Sequence, residues 1–217
     1  MKKLIVLLVV LSVAVSVSAY LYEEDFDTSG NWYSDSSLGS YADPVFYTNN
    51  VSTPLFDSFK LGGDASPGLR EATETQGGDY AWRLDDNAGE YFRYILTDDS
   101  LTVTNFSLYL ADWDVSDDNT FEVRYSVNSG SSYTTLQTYD AAAKNGWTDK
   151  EYHQFSSGTV NLSATSGNDL YLEVYNTDGA ERVLVDTFSV NVIPEPTTFA
   201  LLGLLGVIAF ARRRFMM

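Results

Sequence analysis

Hydrophobic and polar residues alternate with a period of two along much of the chain. Phe106, Leu108 and Leu110 share one parity and Ser107, Tyr109 and Ala111 the other; Phe121, Val123, Tyr125 and Val127 repeat the pattern, as do Leu170, Leu172 and Val174. Such alternation sends successive side chains to opposite faces, so each run predicts a strand with one buried side. Turn-forming clusters at Asn128, Ser129, Gly130, at Ser166, Gly167, Asn168 and at Thr177, Asp178, Gly179 separate the runs, as expected of an antiparallel β-sandwich. Trp82 falls in the alternating run Tyr80, Trp82, Leu84 and is expected in the core. In the last run Val183 and Val185 share one parity but Phe188, Val190 and Val192 the other. That change of phase predicts a β-bulge at Asp186 and Thr187. Only Asp140 to Lys144 suggests a helical turn, so the fold class expected for residues 20–192 is all-β, an antiparallel sandwich of jelly-roll type.

Both ends depart from this pattern. Lys2 and Lys3 precede an apolar run from Leu4 to Val17, and Val17, Ser18 and Ala19 place small residues before Tyr20. This is the layout of a secretory signal peptide, residues 1–19, cleaved by signal peptidase between Ala19 and Tyr20. As a helix the run would reach only about 21 Å, short of the roughly 30 Å hydrocarbon core. Near the other end Phe199 to Ala211 form a second apolar run, followed at once by Arg212, Arg213 and Arg214. The run reads as a short transmembrane helix whose arginines hold the C-terminus in the cytoplasm, leaving the body in the periplasm.

The stretch IPEPTTFALLGLLGVIAFARRR, Ile193 to Arg214, resembles the PEP-CTERM sorting signal of Gram-negative bacteria. The resemblance implies that Pro194, Glu195 and Pro196 form the recognition and processing site of exosortase, a membrane-embedded cysteine transpeptidase. It further implies that the helix holds the substrate in the inner membrane and that Arg212, Arg213 and Arg214 act as the topogenic cluster. The protein would be exported, transiently anchored, and passed to the cell surface or extracellular matrix in association with exopolysaccharide or biofilm. This resemblance covers residues 193–217 and says nothing of the body.

Composition then narrows what the body can do. The 217 residues contain no cysteine, which excludes disulfides and zinc-thiolate sites. Lys and Arg number 13 against 30 Asp and Glu, a net charge of −17. Setting aside Lys2, Lys3, Arg212, Arg213, Arg214 and Glu195 leaves 8 of the 13 basic and 29 of the 30 acidic residues in the body, a net charge of −21. A body so acidic is not expected to bind nucleic acid. Its charge favours solvated display, or divalent-cation bridging to an anionic matrix, over direct adhesion to that matrix.

The early segment Glu24, Asp25, Phe26, Asp27, the hairpin FEVRYSVNSGSSYTTL and the closing strand VLVDTFSVN together resemble bacterial jelly-roll modules, including carbohydrate-binding modules and exported adhesion domains. That resemblance implies a structural Ca2+ between the first and last strands, held here by Asp25, Asp27 and Asp186; calcium takes six to eight oxygen ligands. The loop Asp112, Asp114, Ser116, Asp117, Asp118 begins like an EF-hand loop but has Asp117 and Val123 where that loop needs Gly and Glu, so it reads as solvated charge. Glycan binding needs aromatic platforms; the chain holds 4 tryptophans and 15 tyrosines, and Trp113, flanked by acids, is the candidate ligand-binding residue beside Trp32 and Trp147. No catalytic residues are assigned. His153 is the sole histidine, no G-x-S-x-G turn is present, and the E-x-D-x-x-E spacing of laminarinase-like sandwiches is absent. The body is therefore expected to be non-enzymatic, with a carbohydrate-binding module as the alternative to a plain matrix protein and a glycosidase or lyase as the remote one.

Overall fold

The computed structural model describes residues 19–24, 26, 45–47, 58–62, 68–71, 75, 80–116 and 119–194. The expected signal peptide up to Ser18, the apolar run expected to form a transmembrane helix, and Arg212 to Arg214 lie outside these residues. The described residues form thirteen strands in chain order: β1 (Tyr20–Glu24), β2 (Val45–Tyr47), β3 (Ser58–Gly62), β4 (Gly68–Glu71), β5 (Tyr80–Leu84), β6 (Tyr91–Leu96), β7 (Leu101–Asp112), β8 (Phe121–Ser126), β9 (Thr134–Tyr139), β10 (His153–Ser156), β11 (Leu162–Ser163), β12 (Leu170–Asn176) and β13 (Val183–Pro194). They form two antiparallel sheets. A 7-stranded sheet runs β10-β7-β13-β5-β4, with β1 also on β13 and β11 also on β7; a 6-stranded sheet runs β2-β3-β6-β12-β8-β9. Among the described residues no helix is long and apolar enough to cross a membrane.

The alternating runs place their apolar parity between the sheets as expected: Phe106, Leu108, Leu110, Phe121, Val123, Leu170, Leu172 and Val174 are all buried. An aromatic spine threads the core from sheet to sheet. Trp82 of β5 is fully buried and meets Phe26 edge-on at 6.1 Å, Phe26 meets Phe92 of β6 at 5.9 Å, and Phe92 lies 6.4 Å from Phe188 of β13. Phe188 in turn packs on Tyr94 at 4.8 Å, and Tyr94 stacks on Tyr22 of β1 at 6.5 Å. Offset and edge-on pairs of this kind add to the area they bury.

The central ladder is β7 against β13, each 12 residues long and paired from Val183 with Asp112 to Pro194 with Leu101. Its register shifts between Asp186 and Ser189, where the change of parity predicted a bulge. Thr187 there has φ of 41°, and the Asp186 carboxylate accepts its N–H at 2.6 Å. A second shift between Asn191 and Val192 leaves Thr104 of β7 as the extra residue, so one bulge compensates the other. On its far side β13 pairs with β5 through Val185 and with β1 from Phe188 onward, so the first bulge lies at the handover.

One cation in the interior is fully committed. Asp140 caps the turn that follows β9, accepting the Ala143 N–H at 2.8 Å, and Lys144 N–H bonds the Asp140 carbonyl at 3.0 Å, the helical turn expected from Asp140 to Lys144. The turn aims Lys144 inward. Its ammonium bonds the fully buried Asp112 carboxylate and, at 2.5 Å, the Asn119 carbonyl. Burial pushes the Asp112 carboxyl above the ordinary range against the opposing pull of Lys144. Asp112, expected as solvated charge in the acidic loop, is instead an internal ion-pair partner, because Lys144 returns from 32 residues away to neutralise it. The loop continues with Asp114, which accepts the Ser116 N–H at 2.9 Å and hydroxyl at 2.7 Å and is thereby held below the usual carboxylate range. Asp117 and Asp118 lie outside the described residues.

Two substitutions test this packing. Gly179 has φ of 67°, and a Cβ there would clash with the Ala88 backbone nitrogen, where the β12–β13 turn presses on the β5–β6 turn. Gly179→Ala should lower unfolding free energy by about 2–4 kcal/mol in denaturant titrations; an unchanged midpoint would refute the close approach. Lys144→Met strands the Asp112 carboxylate and should cost about 3–5 kcal/mol at neutral pH. Because the folded-state pKa of Asp112 is raised, stability linked to its protonation is complete below the unfolded value of 3.8 and is lost as pH rises through the folded value. The deficit of the variant should therefore narrow on acidification; a deficit constant from pH 3 to 7 would exclude Asp112 as its origin.

Candidate functional site

The outer face of the 6-stranded sheet carries an unusual concentration of polar and aromatic side chains. Leu170, Leu172 and Val174 take the inward parity of β12, which leaves Tyr171, Glu173 and Tyr175 outward. Register sets Glu173 opposite Arg93 of β6 on one side and Arg124 of β8 on the other. Side chains directly opposite in an antiparallel pair share a face and meet.

Glu173 has no exposed side-chain surface although it sits on the outside of the sheet. Arg93 donates from Nε at 2.6 Å to Glu173 Oε2, with Nη2 2.5 Å from the same oxygen; Arg124 donates from Nε at 2.7 Å to Oε1, with Nη2 2.5 Å from it. Each oxygen is thus held by one guanidinium fork, the geometry that makes charge-assisted bonds strong. Four phenol rings enclose the forks. Arg93 lies 4.1 Å from the Tyr91 ring centroid and 4.5 Å from that of Tyr171; Arg124 lies 3.5 Å from Tyr175 and 4.2 Å from Tyr133. Rings in this position repay part of the water that the cations lose.

Tyr133 comes from the β8–β9 hairpin and closes the cluster from above. Its hydroxyl accepts from Arg93 Nη2 at 2.8 Å and donates to Glu173 Oε2 at 3.3 Å. Burial, and then the charge of Glu173, push the phenol up to about 12, so it remains a donor at any physiological pH. Tyr91 and Tyr171 are likewise raised, chiefly by burial. The hairpin turns through Ser129 and Gly130, with φ of 53° and 82°. A Cβ at Gly130 would meet Tyr133 Oη at 3.0 Å and the Tyr171 ring at 3.2 Å, so glycine lets the two rings close over the turn. The Ser126 hydroxyl accepts the Gly130 N–H at 2.9 Å and fixes the turn.

The residues singled out from sequence fall elsewhere. Trp113 follows β7 at the end of the larger sheet; its N–H bonds the Arg182 carbonyl at 3.0 Å. Lys150 Nζ stands 3.5 Å over its ring, with the Arg182 and Arg83 guanidiniums at 5.1 and 5.7 Å. The ring is half-buried among cations of the protein itself. Trp147 stacks on His153 at 4.0 Å and Trp82 is core, whereas Trp32 lies outside the described residues. Of the proposed calcium ligands, Asp25 and Asp27 are outside the described residues. Asp186 is buried at the β13 bulge with its carboxylate on Thr187. Among the described residues no group of three or more His, Asp or Glu is placed to hold a metal ion.

The tyrosine and arginine cluster was not singled out from sequence. Its signal lay in the outward parity of three runs, Tyr91 and Arg93, Arg124, and Tyr171, Glu173 and Tyr175, which counts only once β6, β12 and β8 are known to be neighbours.

The residues expected from sequence to flank the two processing sites are neighbours on the larger sheet. Pro194 is the last residue of β13, paired with Leu101, and Tyr20 opens β1 opposite Val192. The new N-terminus expected after signal cleavage and the first residue of the sorting tripeptide thus lie on adjacent strands at one end of the larger sheet. Glu195, Pro196 and Arg212 to Arg214 lie outside the described residues.

Comparison with solved structures finds similarity at low identity. The CBM22-1 xylan-binding domain of Paenibacillus barcinonensis Xyn10C is 15% identical with a TM-score of 0.47, over 64% of this chain and 87% of that chain. The K2 cleaved adhesin domain of Lys-gingipain is 14% identical with a TM-score of 0.44, over 68% and 99%. A second xylan-binding domain, from CBM 22, is 13% identical with a TM-score of 0.46, over 74% and 99%. Comparison with curated proteins finds no match. A family model described as the PEP-CTERM protein-sorting motif matches residues 192–214. The chain thus carries, starting in the last residues of its central strand, the PEP-CTERM sorting signal, which implies export and membrane anchoring before processing by exosortase.

Proposed function

We propose that this protein is an exported, exosortase-processed component of the cell surface or exopolysaccharide matrix whose sandwich is a non-catalytic glycan-binding module. The binding surface in this reading is the outer face of the 6-stranded sheet. The observation that carries it is the enclosure of Arg93, Glu173 and Arg124 by Tyr91, Tyr133, Tyr171 and Tyr175. A sugar ring offers apolar C–H faces and a rim of hydroxyls. Partly exposed phenol rings supply the flat apolar contact, and the hydroxyls of Tyr91 and Tyr171, kept protonated by burial, supply partners for the rim. A cluster locked by a buried carboxylate is also pre-organised, which lowers the ordering cost of binding.

Two experiments bear on this function. Doubling Pro194→Ala with Glu195→Ala should leave the protein in the inner-membrane fraction of the native host; release at the parental level would sink the sorting assignment. Tyr171→Ala and Tyr175→Ala should each weaken binding on a polysaccharide array by about tenfold or more, the loss of one aromatic contact of about 1.4 kcal/mol. Trp113→Ala should leave array binding unchanged, and the reverse pattern would move the platform to Trp113.

A further inference from the structure

The sorting motif and the larger sheet share residues. The motif matches residues 192–214 and β13 runs to Pro194, so Val192, Ile193 and Pro194 belong to both. These three are held in register against β7, where Val192 stands opposite Val103, Ile193 opposite Thr102 and Pro194 opposite Leu101. On its other edge Val192 faces Tyr20 of β1. β7 is backed in turn by β11, with Leu162 opposite Val103 and Ser163 opposite Thr102, and the Thr102 and Ser163 hydroxyls bond each other at 2.7 Å. The row through Val192 therefore crosses β11, β7, β13 and β1, and the motif begins on an interior strand of the sheet rather than on an edge.

Burial reinforces this pairing. Val192 and Val103 are fully buried, and Leu101 and Leu162 nearly so, all within the hydrophobic core. The start of β7 is pinned by Asp98, whose carboxylate accepts the Ser100 N–H at 2.9 Å and whose carbonyl accepts the Leu101 N–H at 3.2 Å. Lifting the end of β13 would expose Val192 to water and strip β7 of backbone partners, and both changes cost free energy. Pro194 brings no N–H to the ladder, so opening is easiest from its end.

An enzyme that processes a polypeptide takes it as an extended segment and binds its backbone directly. The backbone of residues 192–194 cannot serve β7 and an enzyme cleft at once. We infer that processing of the sorting signal is gated by the fold: exosortase engages the motif only after the end of β13 has peeled from β7 and β1. This rests on the exosortase-processed reading above and specifies its regulation. β1 takes part in the gate because it begins at Tyr20, the residue expected to become the N-terminus after signal cleavage, and is anchored by Tyr22 stacked on Tyr94 at 6.5 Å. Where opening is fast relative to the enzyme's step, the processing rate follows the open population.

The test follows processing of the full chain by pulse-chase in the native host. The chain has no cysteine, so Thr102→Cys with Ile193→Cys places one possible bridge on residues directly opposite in the ladder, in a compartment that oxidises thiols. The bridged chain should be processed at least about tenfold more slowly than either single-cysteine variant. Leu101→Ala, which loosens the contact under Pro194, should speed processing by about fivefold or more, whereas Val123→Ala, an equally buried change in the other sheet, should leave the rate within about twofold of the parent. A bridged chain processed at the single-variant rate would overturn the gate and keep the sorting assignment. Should the bridge not form on non-reducing gels, Leu101→Ala carries the result, and an unchanged rate there sinks the gate. An equal rise for Val123→Ala would replace local opening with global unfolding and so reject the inference. A parent chain that is not processed at all would remove both this inference and the reading on which it rests.

Discussion

The structure hangs on one strand. β13 pairs with β7 along its full 12 residues and offers its other edge first to β5 and then to β1, so three other strands of the larger sheet depend on its geometry. A single strand can serve two partners in tandem only if it bends where one leaves and the next arrives. The bulge at Asp186 and Thr187 makes that bend, and the Asp186 carboxylate holds the left-handed Thr187 backbone in place. The same strand presents Phe188 to the core spine and ends in Pro194, so the strand that organises the core also delivers the sorting signal.

Two buried carboxylates are handled in different ways. Asp112 meets a single lysine and a carbonyl in the interior, a closed arrangement with a structural role. Glu173 meets two arginines near the surface, and the rings around them are partly exposed. Burying charge costs desolvation that pairing at best offsets, so neither pair is a strong argument for stability. The excess positive charge in the second is the feature that gives the outer face a chemical character distinct from the rest of this acidic molecule.

The sorting tripeptide begins on the last residue of β13. Tyr20 and Pro194 lie at the same end of the larger sheet. The strands that carry Arg93, Glu173 and Arg124 form the other layer of the sandwich. The start of the sorting signal and the tyrosine and arginine cluster therefore belong to different layers of one fold.

The amino-acid sequence by itself determined the elements that rest on local pattern. Period-two alternation marked the core faces of β7, β8 and β12, the parity change marked the bulge, and Trp82 was legible as core because it sits in phase with its neighbours. The sorting signal was legible because tripeptide, apolar run and arginines are contiguous, and a linear signal needs no folding to be read. Tertiary structure alone decided which residues meet. Lys144 reaches Asp112 across 32 positions, and Arg93 and Glu173 are 80 apart. The strand order β6-β12-β8 is not the chain order, so no spacing in the sequence announces the two arginines on Glu173 or the rings that enclose them. Parity says which face a side chain takes; pairing between distant strands says what it finds there.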